Sequence, residues 1–73
     1  MFHMKFEIES IPIEKLNEII ETRKPKGLFI AREPKGKRKR LFITVENVDG
    51  EAYTEEFEEY KQAMRWLEKR GEE

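Results

Sequence analysis

The chain lacks cysteine and has a single histidine and a single serine. Without cysteine it cannot form disulfides, zinc ribbons, iron–sulfur clusters or thiol nucleophiles. His3 and Ser10 have no catalytic partner near them in the sequence, so a Ser-His-Asp arrangement cannot be assembled. The sequence therefore predicts a protein that is not an enzyme and that holds no cofactor and no metal ion.

Long hydrophobic runs are missing as well. No apolar run approaches the roughly 20 residues of a membrane span, and no signal-peptide pattern opens the chain. Gly27, Gly36 and Gly50 are isolated turn glycines and do not form a phosphate-binding pattern. We therefore expect a cytoplasmic protein with no membrane partner.

The chain is short and highly charged. Its 73 residues, 42% charged and 37% hydrophobic, predict one domain over residues 1–73. A core of this size supplies only about 3–5 kcal/mol of net stability, so a homodimer is an alternative to the monomer. The many Glu, Lys and Arg residues, with few amides, are typical of a thermophilic source.

Charge is distributed unevenly along the chain. Nine of the fifteen Lys and Arg residues lie between Arg23 and Arg40, where Glu33 is the one acid. From Glu46 onward there are ten acids and four bases. This asymmetry predicts a basic pole and an acidic pole.

The first half of the chain shows a strand, a helix and a strand. Apolar residues alternate from Phe2 to Ile8, as in a half-buried strand. An apolar stripe with helical spacing follows, and the helix must end by about Lys24 because Pro25 disfavours helix before it. We expect Ser10 at the mouth of this helix, where serine usually caps. A short strand then runs from Leu28 to Glu33.

The second half predicts a hairpin followed by a helix. A strand begins at Leu41, a second strand ends at Phe57, and a helix runs from about Glu58 to Arg70. The helix has an apolar stripe at i, i+3, i+4 and i+7, formed by Tyr60, Ala63, Met64 and Leu67. The order β-α-β-β-β-α predicts a small α+β domain. We expect an antiparallel meander sheet with both helices packed on one face.

The hairpin turn allows two registers. A two-residue Asp49-Gly50 turn would pair Val45 with Thr54. A three-residue loop, Val48-Asp49-Gly50, would pair Val45 with Tyr53, with Gly50 at positive φ. We prefer the three-residue loop because it places the apolar residues of both strands on one face.

The segment from Pro34 to Arg40 is a basic loop between two predicted strands, and it is the stretch with functional potential. Its positive charges could contact phosphates, or they could simply solubilise the loop and discourage aggregation. Phe29 or Phe42 could add stacking from the sheet face away from the helices. The candidate residues for binding a macromolecule are Lys35, Lys37, Arg38, Lys39, Arg40 and Phe42.

Four crowded carboxylates precede the last helix. Glu55, Glu56, Glu58 and Glu59 have no metal-ligand spacing beside them. We interpret them as a solvated face and a favourable helix start.

The segment from Gly27 to Leu67 resembles a group of very short phage and prophage proteins of Gram-positive bacteria. The shared features are a Gly-Leu-Phe strand, an acidic-Asn turn with glycine, an alanine-aromatic-Thr-Glu-Glu-Phe strand and a terminal Trp-Leu. In this sequence they are Gly27-Leu28-Phe29, Glu46-Asn47-Val48-Asp49-Gly50, Ala52–Phe57 and Trp66-Leu67. The resemblance implies a mobile-element origin but no particular activity.

The α-β-β-β-α order from Pro12 onward is also similar to that of double-stranded-RNA-binding domains. Those domains begin their second helix with a lysine cluster that contacts phosphate. This sequence has Glu55, Glu56, Glu58 and Glu59 there.

Taken together, these patterns predict a non-catalytic accessory interaction protein of phage or mobile-element origin. The favoured partner is another protein. The alternative is a nucleic-acid-binding module that uses the basic segment 35–40. The direction in which that segment points, and whether exposed aromatic rings lie beside it, should decide between the two.

Overall fold

A computed structural model describes residues 7–35 and 39–71 of the chain. The predicted order β-α-β-β-β-α and the α+β class are confirmed. The elements are β1 (Ile8–Ser10), α1 (Ile13–Thr22), β2 (Gly27–Lys35), β3 (Lys39–Asn47), β4 (Tyr53–Phe57) and α2 (Tyr60–Gly71).

The four strands form one sheet in the order β1-β2-β3-β4. The last three strands form the predicted antiparallel meander. β1 adds to the edge in parallel with β2, so the sheet is mixed. A parallel pair of strands needs a crossover, and α1 supplies it. The predicted strand residues before Glu7 lie outside the described residues.

The two helices lie on opposite faces of the sheet. Leu16 and Ile19 of α1 pack with Phe29, Ala31 and Val45. The intervening strand residues Leu28 and Ile30 pack with Ala63 and Leu67 of α2. Successive side chains of a strand point to opposite faces, so α1 and α2 cover different sides.

The expectation that both helices share one face is therefore corrected. All four residues of Leu28-Phe29-Ile30-Ala31 are buried, at 0 to 3% exposure. An uninterrupted apolar run is typical of a strand covered on both faces. A strand covered on one face would alternate.

Helix α1 begins without the predicted serine cap. Ser10 is the last residue of β1 and lies opposite Ile30. Pro12 occupies the N-cap position, and its carbonyl accepts the N–H of Leu16 at 3.0 Å. The helix ends at Thr22, and Arg23 adopts a left-handed conformation while its N–H donates to the Ile19 carbonyl at 2.7 Å. The prediction that the helix ends by about Lys24 is confirmed.

The β3–β4 hairpin has the register that we disfavoured. Val45 lies opposite Thr54, and Phe42 lies opposite Phe57. Pairing of Val45 with Tyr53 is therefore wrong, although Gly50 does have a positive φ, 87°. The preferred register assumed one buried face. With both faces of β3 covered, Phe42 and Phe57 belong to the α2 side and set the register.

The loop of this hairpin is tied to the end of α1. The Arg23 guanidinium donates to the Gly50 carbonyl at 3.1 Å. The side-chain amide of buried Asn47 donates to the Pro25 carbonyl at 2.9 Å. These two bonds hold the turn after α1 against the β3–β4 loop, at the end of the sheet opposite residues 35 and 39.

Neither helix in the described part of the chain has the length and apolar character to span a bilayer.

Candidate nucleic-acid interface

The β2–β3 hairpin extends beyond the strands on either side of it. β1 pairs with β2 only as far as Ile30, and β4 pairs with β3 only as far as Phe42. The β2–β3 ladder continues to the pair Lys35–Lys39. Residues 33–35 and 39–41 therefore form a two-stranded arm, about 10 Å long at 3.3 Å per residue. We call these six residues the ribbon arm.

The ribbon arm contains three of the predicted binding residues. Lys35, Lys39 and Arg40 lie within its two strands. Lys37 and Arg38 lie outside the described residues. The described part of the predicted Pro34–Arg40 loop, residues 34, 35, 39 and 40, is therefore strand, because both strands extend further than their apolar patterns.

Proline at position 34 is compatible with a strand here. The Ile30 carbonyl accepts the N–H of Ile11, so the backbone groups of Ile30 point toward β1. Alternate residues of a strand present their backbone groups at the same edge. The missing N–H of Pro34 therefore falls on the edge that β1 leaves unpaired, where proline is tolerated.

The exposed carboxylates that precede α2 lie beside the base of the ribbon arm. β4 ends at Phe57, opposite Phe42, and exposed Glu58 and Glu59 follow. Lys39 is three residues from Phe42, or about 10 Å along the strand. The Debye length is about 8 Å at physiological salt. Salt therefore screens much of the repulsion that these carboxylates would exert on an anion at the tip.

Phe42 does not lie on an open sheet face. Its ring packs edge-on against Tyr60, with ring centroids 5.5 Å apart. Phe29 is 3% exposed beneath α1. The expectation that either ring could stack on a ligand from an uncovered face is wrong, because the two helices cover both faces.

The exposed ring at the base of the arm belongs to Tyr60, which is 52% exposed. Sequence reasoning assigned Tyr60 to the apolar stripe of α2 and missed it as a candidate site residue. No signal in the sequence indicated this exposure, because the helix was expected to begin near Glu58 and only the structure makes Tyr60 its first residue.

A groove of about 590 Å³ lies between Tyr60 and the end of β1. Phe42 and Tyr60 both line it, and Arg32 is exposed directly before the first residue of the arm. The groove residues are Ser10, Ile11, Ile30, Ala31, Arg32, Phe42 and Tyr60. The groove thus combines an aromatic ring, a cation and a hydroxyl with apolar side chains of β2.

A second aromatic and cationic cluster lies at the other end of α2. The Arg70 guanidinium lies 5.4 Å from the centre of the Tyr53 ring and 4.7 Å from that of Trp66. It also contacts the Glu46 carboxylate at 3.2 Å. These contacts occupy the guanidinium, so we interpret the cluster as a structural link between α2 and the sheet.

Tyr53 in this cluster has a perturbed hydroxyl. It donates to a carboxylate oxygen of Glu51 at 3.0 Å. The hydrogen bond and the negative charge of Glu51 raise the pKa of Tyr53 above its ordinary value, because both favour the protonated phenol.

Within residues 7–35 and 39–71, no group of three or more His, Cys, Asp or Glu side chains is arranged to hold a metal ion. No family model matches the chain, and no curated protein or solved structure matches it either.

Proposed function

We propose that this chain is a non-catalytic module that binds nucleic acid through the ribbon arm. The observation that carries the proposal is the projection of β2 and β3 beyond β1 and β4. This projection places Lys35, Lys39 and Arg40 at one end of the molecule. The sequence alone favoured a protein partner, and this geometry supports the alternative.

The physical basis is the release of counterions from phosphates. A cation that neutralises a phosphate releases condensed counterions, so the affinity depends steeply on salt. A protruding arm can approach a polyanion while the acidic surface of β4 stays further away. The exposed ring of Tyr60 lies beside the base of the arm and supplies the aromatic group that such surfaces commonly include.

A protein partner remains the second candidate. β4 is the last strand of the described sheet, and its outer edge has no strand beside it. An extended peptide can add to such an edge through main-chain hydrogen bonds. Glu55 and Glu56 on β4 are exposed, and they favour a basic peptide.

The test compares two triple variants of equal net charge. One replaces Lys35, Lys39 and Arg40 by Ser in the arm. The other replaces Lys15, Lys24 and Lys26 by Ser, which are exposed residues outside the arm. Binding to a fluorescein-labelled 20-base-pair DNA, and to one of its single strands, is measured by anisotropy from 20 to 200 mM salt.

We expect the arm variant to flatten the log–log salt slope on duplex by two to three units, since each phosphate contact contributes roughly −0.9. The control variant should retain most of the salt dependence of duplex binding. Equal losses in the two variants would show that only net charge matters, and the arm would then have no special role.

Three further predictions from the sequence belong with this proposal. We propose an origin in a phage or other mobile element, a cytoplasmic location and either a monomer or a homodimer. The resemblance to short phage proteins supports the origin, and the modest core supports the homodimer as an alternative.

A further inference from the structure

We propose that the groove beside Tyr60 binds an unpaired nucleobase, so that the preferred ligand is single-stranded nucleic acid. This inference deepens the proposed function and rests on it. It depends on four observations: the exposed ring, the cation beside it, the free backbone edge and the continuity of the groove with the arm.

The Tyr60 ring packs against a neighbouring ring and is accessible. Edge-on packing against Phe42, at 5.5 Å and an interplanar angle of 69°, holds its orientation. Its 52% exposure leaves room for a second planar group. A tyrosine held in this way is a stacking platform, and stacking on aromatic side chains is how proteins bind unpaired bases of any sequence.

Arg32 and Ser10 add charge and hydrogen bonding to the groove. Arg32 is exposed and is followed directly by Glu33, the first residue of the arm. A guanidinium can stack on a base or contact its phosphate. Ser10 contributes a hydroxyl at the end of β1.

The floor of the groove includes a free backbone edge. The Ile30 carbonyl accepts from Ile11, and β1 pairs no further along β2. The backbone groups of Arg32 face the same edge, since alternate residues share it. In the described chain no strand pairs with that edge beyond Ile30. An N–H donor and a carbonyl acceptor are therefore available to the edge of a base.

These features select an unpaired base. The faces of a base inside a duplex are covered by its neighbours, and they become accessible only when the base is single-stranded or extruded. The volume of about 590 Å³ lies within the usual 300–1,000 Å³ range of small-ligand sites. Phosphates of the same strand can then lie along the arm, which begins at the next residue after Arg32.

The experiment uses the full chain and three probes: fluorescein-labelled dT12, the matching rU12 and a 12-base-pair duplex. Tyr60→Leu removes the ring, and Tyr60→Phe keeps it. Tyr53→Leu is the matched control, because Tyr53 is a second exposed tyrosine, at 42% exposure, and lies opposite Glu46 in the sheet. Melting curves establish that each variant is folded.

We expect Tyr60→Leu to weaken binding of dT12 and rU12 by roughly 5- to 150-fold, the effect of removing one stacked ring. Duplex binding should change by less than about twofold, because backbone contacts dominate there. Tyr60→Phe should retain single-strand binding, and Tyr53→Leu should change neither. Equal loss on single strands and duplex, or no loss on single strands, would overturn the proposal.

Failure of the groove and failure of the proposed function give different results. If the arm variant loses affinity while Tyr60→Leu does not, the arm binds nucleic acid and the groove inference is wrong. If no polymer binds, a titration with uridine monophosphate followed by amide NMR tests whether the groove binds a single nucleotide. Shifts at Arg32 and Tyr60 would support the groove alone, and no shifts would overturn both proposals.

Discussion

The carboxylate of Glu46 and the guanidinium of Arg70 lie 3.2 Å apart and join β3 to the last turn of α2. The Glu46 side chain is 9% exposed, whereas that of Arg70 is 41% exposed. The carboxylate has therefore given up most of its hydration, and the cation still reaches solvent. Removing Arg70 would leave a nearly buried charge without its ion partner.

The first prediction concerns this pair. Arg70→Ala should lower the free energy of unfolding by about 1–3 kcal/mol, the cost of an unsatisfied charged group. Glu46→Gln in the same background should recover part of that loss. A double-mutant cycle by urea denaturation should give a coupling near 1 kcal/mol, limited by the exposure of Arg70. Zero coupling would mean that the pair does not stabilise the fold.

The second prediction concerns the pH dependence of Tyr53. Because Glu51 raises its pKa, the protonated phenol is favoured in the folded state. This contribution to stability is fully present below the pKa of the unfolded chain and is lost as pH rises through the higher folded value.

The titration can be followed by absorbance at 295 nm in a Tyr60→Phe background, which leaves Tyr53 as the only tyrosine. Glu51→Gln should lower the midpoint toward the ordinary tyrosine value. An unchanged midpoint would contradict the hydrogen bond at 3.0 Å.

The third prediction tests the two separate halves of the core. Leu16 and Leu67 are both 0% exposed; Leu16 belongs to α1 and Leu67 to α2, in different core clusters. Either Leu→Ala change should cost about 2–5 kcal/mol. Since the net stability of a domain of this size is only about 3–5 kcal/mol, each variant should be largely unfolded in thermal melts.

Milder changes in the same two clusters test the opposite placement of the helices. Ile19→Val and Ile30→Val should each cost about 0.5–1.5 kcal/mol. Ile19 of α1 packs on one face of the sheet, and Ile30 of β2 packs against α2 on the other. Their costs should therefore add within about 0.5 kcal/mol. A strong departure from additivity would argue for a single shared cluster.

The fourth prediction concerns the β3–β4 turn. Gly50 has a φ of 87°, and a Cβ there would meet no atom within 4 Å. Any cost of substitution is therefore in the backbone. Gly50→Val should destabilise by about 1 kcal/mol or more. Gly50→Asn, a residue that tolerates positive φ, should cost clearly less in the same denaturation assay. Equal costs would show that the turn has relaxed to a negative φ.

Local patterns in the sequence predicted the elements well. The 3.6-residue stripes located both helices, and Pro25 marked the end of α1 within two residues. The predicted placement of both helices on one face was wrong, because the apolar strand β2 was interpreted as buried on one face only. The evidence was present in Leu28-Phe29-Ile30-Ala31, where no polar residue interrupts the run. The predicted hairpin register was wrong for the same reason, since it was chosen to place the apolar residues on a single buried face.

The candidate site could be predicted only in part. The basic residues were visible as a charge run, but the arm that carries them depends on where β1 and β4 stop. Nothing within β2 or β3 encodes the lengths of the neighbouring strands. The groove brings together Ser10, Arg32 and Tyr60, which are far apart in sequence. The register of the sheet and the packing of Tyr60 on Phe42 together place them side by side.

The ribbon arm begins where both halves of the core end, and this has an evolutionary consequence. Changes between Lys35 and Lys39 need not disturb the packing around Leu28 or Val45, which lie far down the same strands. For loops in general, each doubling of length costs only about 0.6 kcal/mol in closure entropy. The tip can therefore accept insertions, deletions and changes of charge that the buried sheet would not tolerate. A small domain built this way can acquire a new ligand at its tip while its core sequence stays the same.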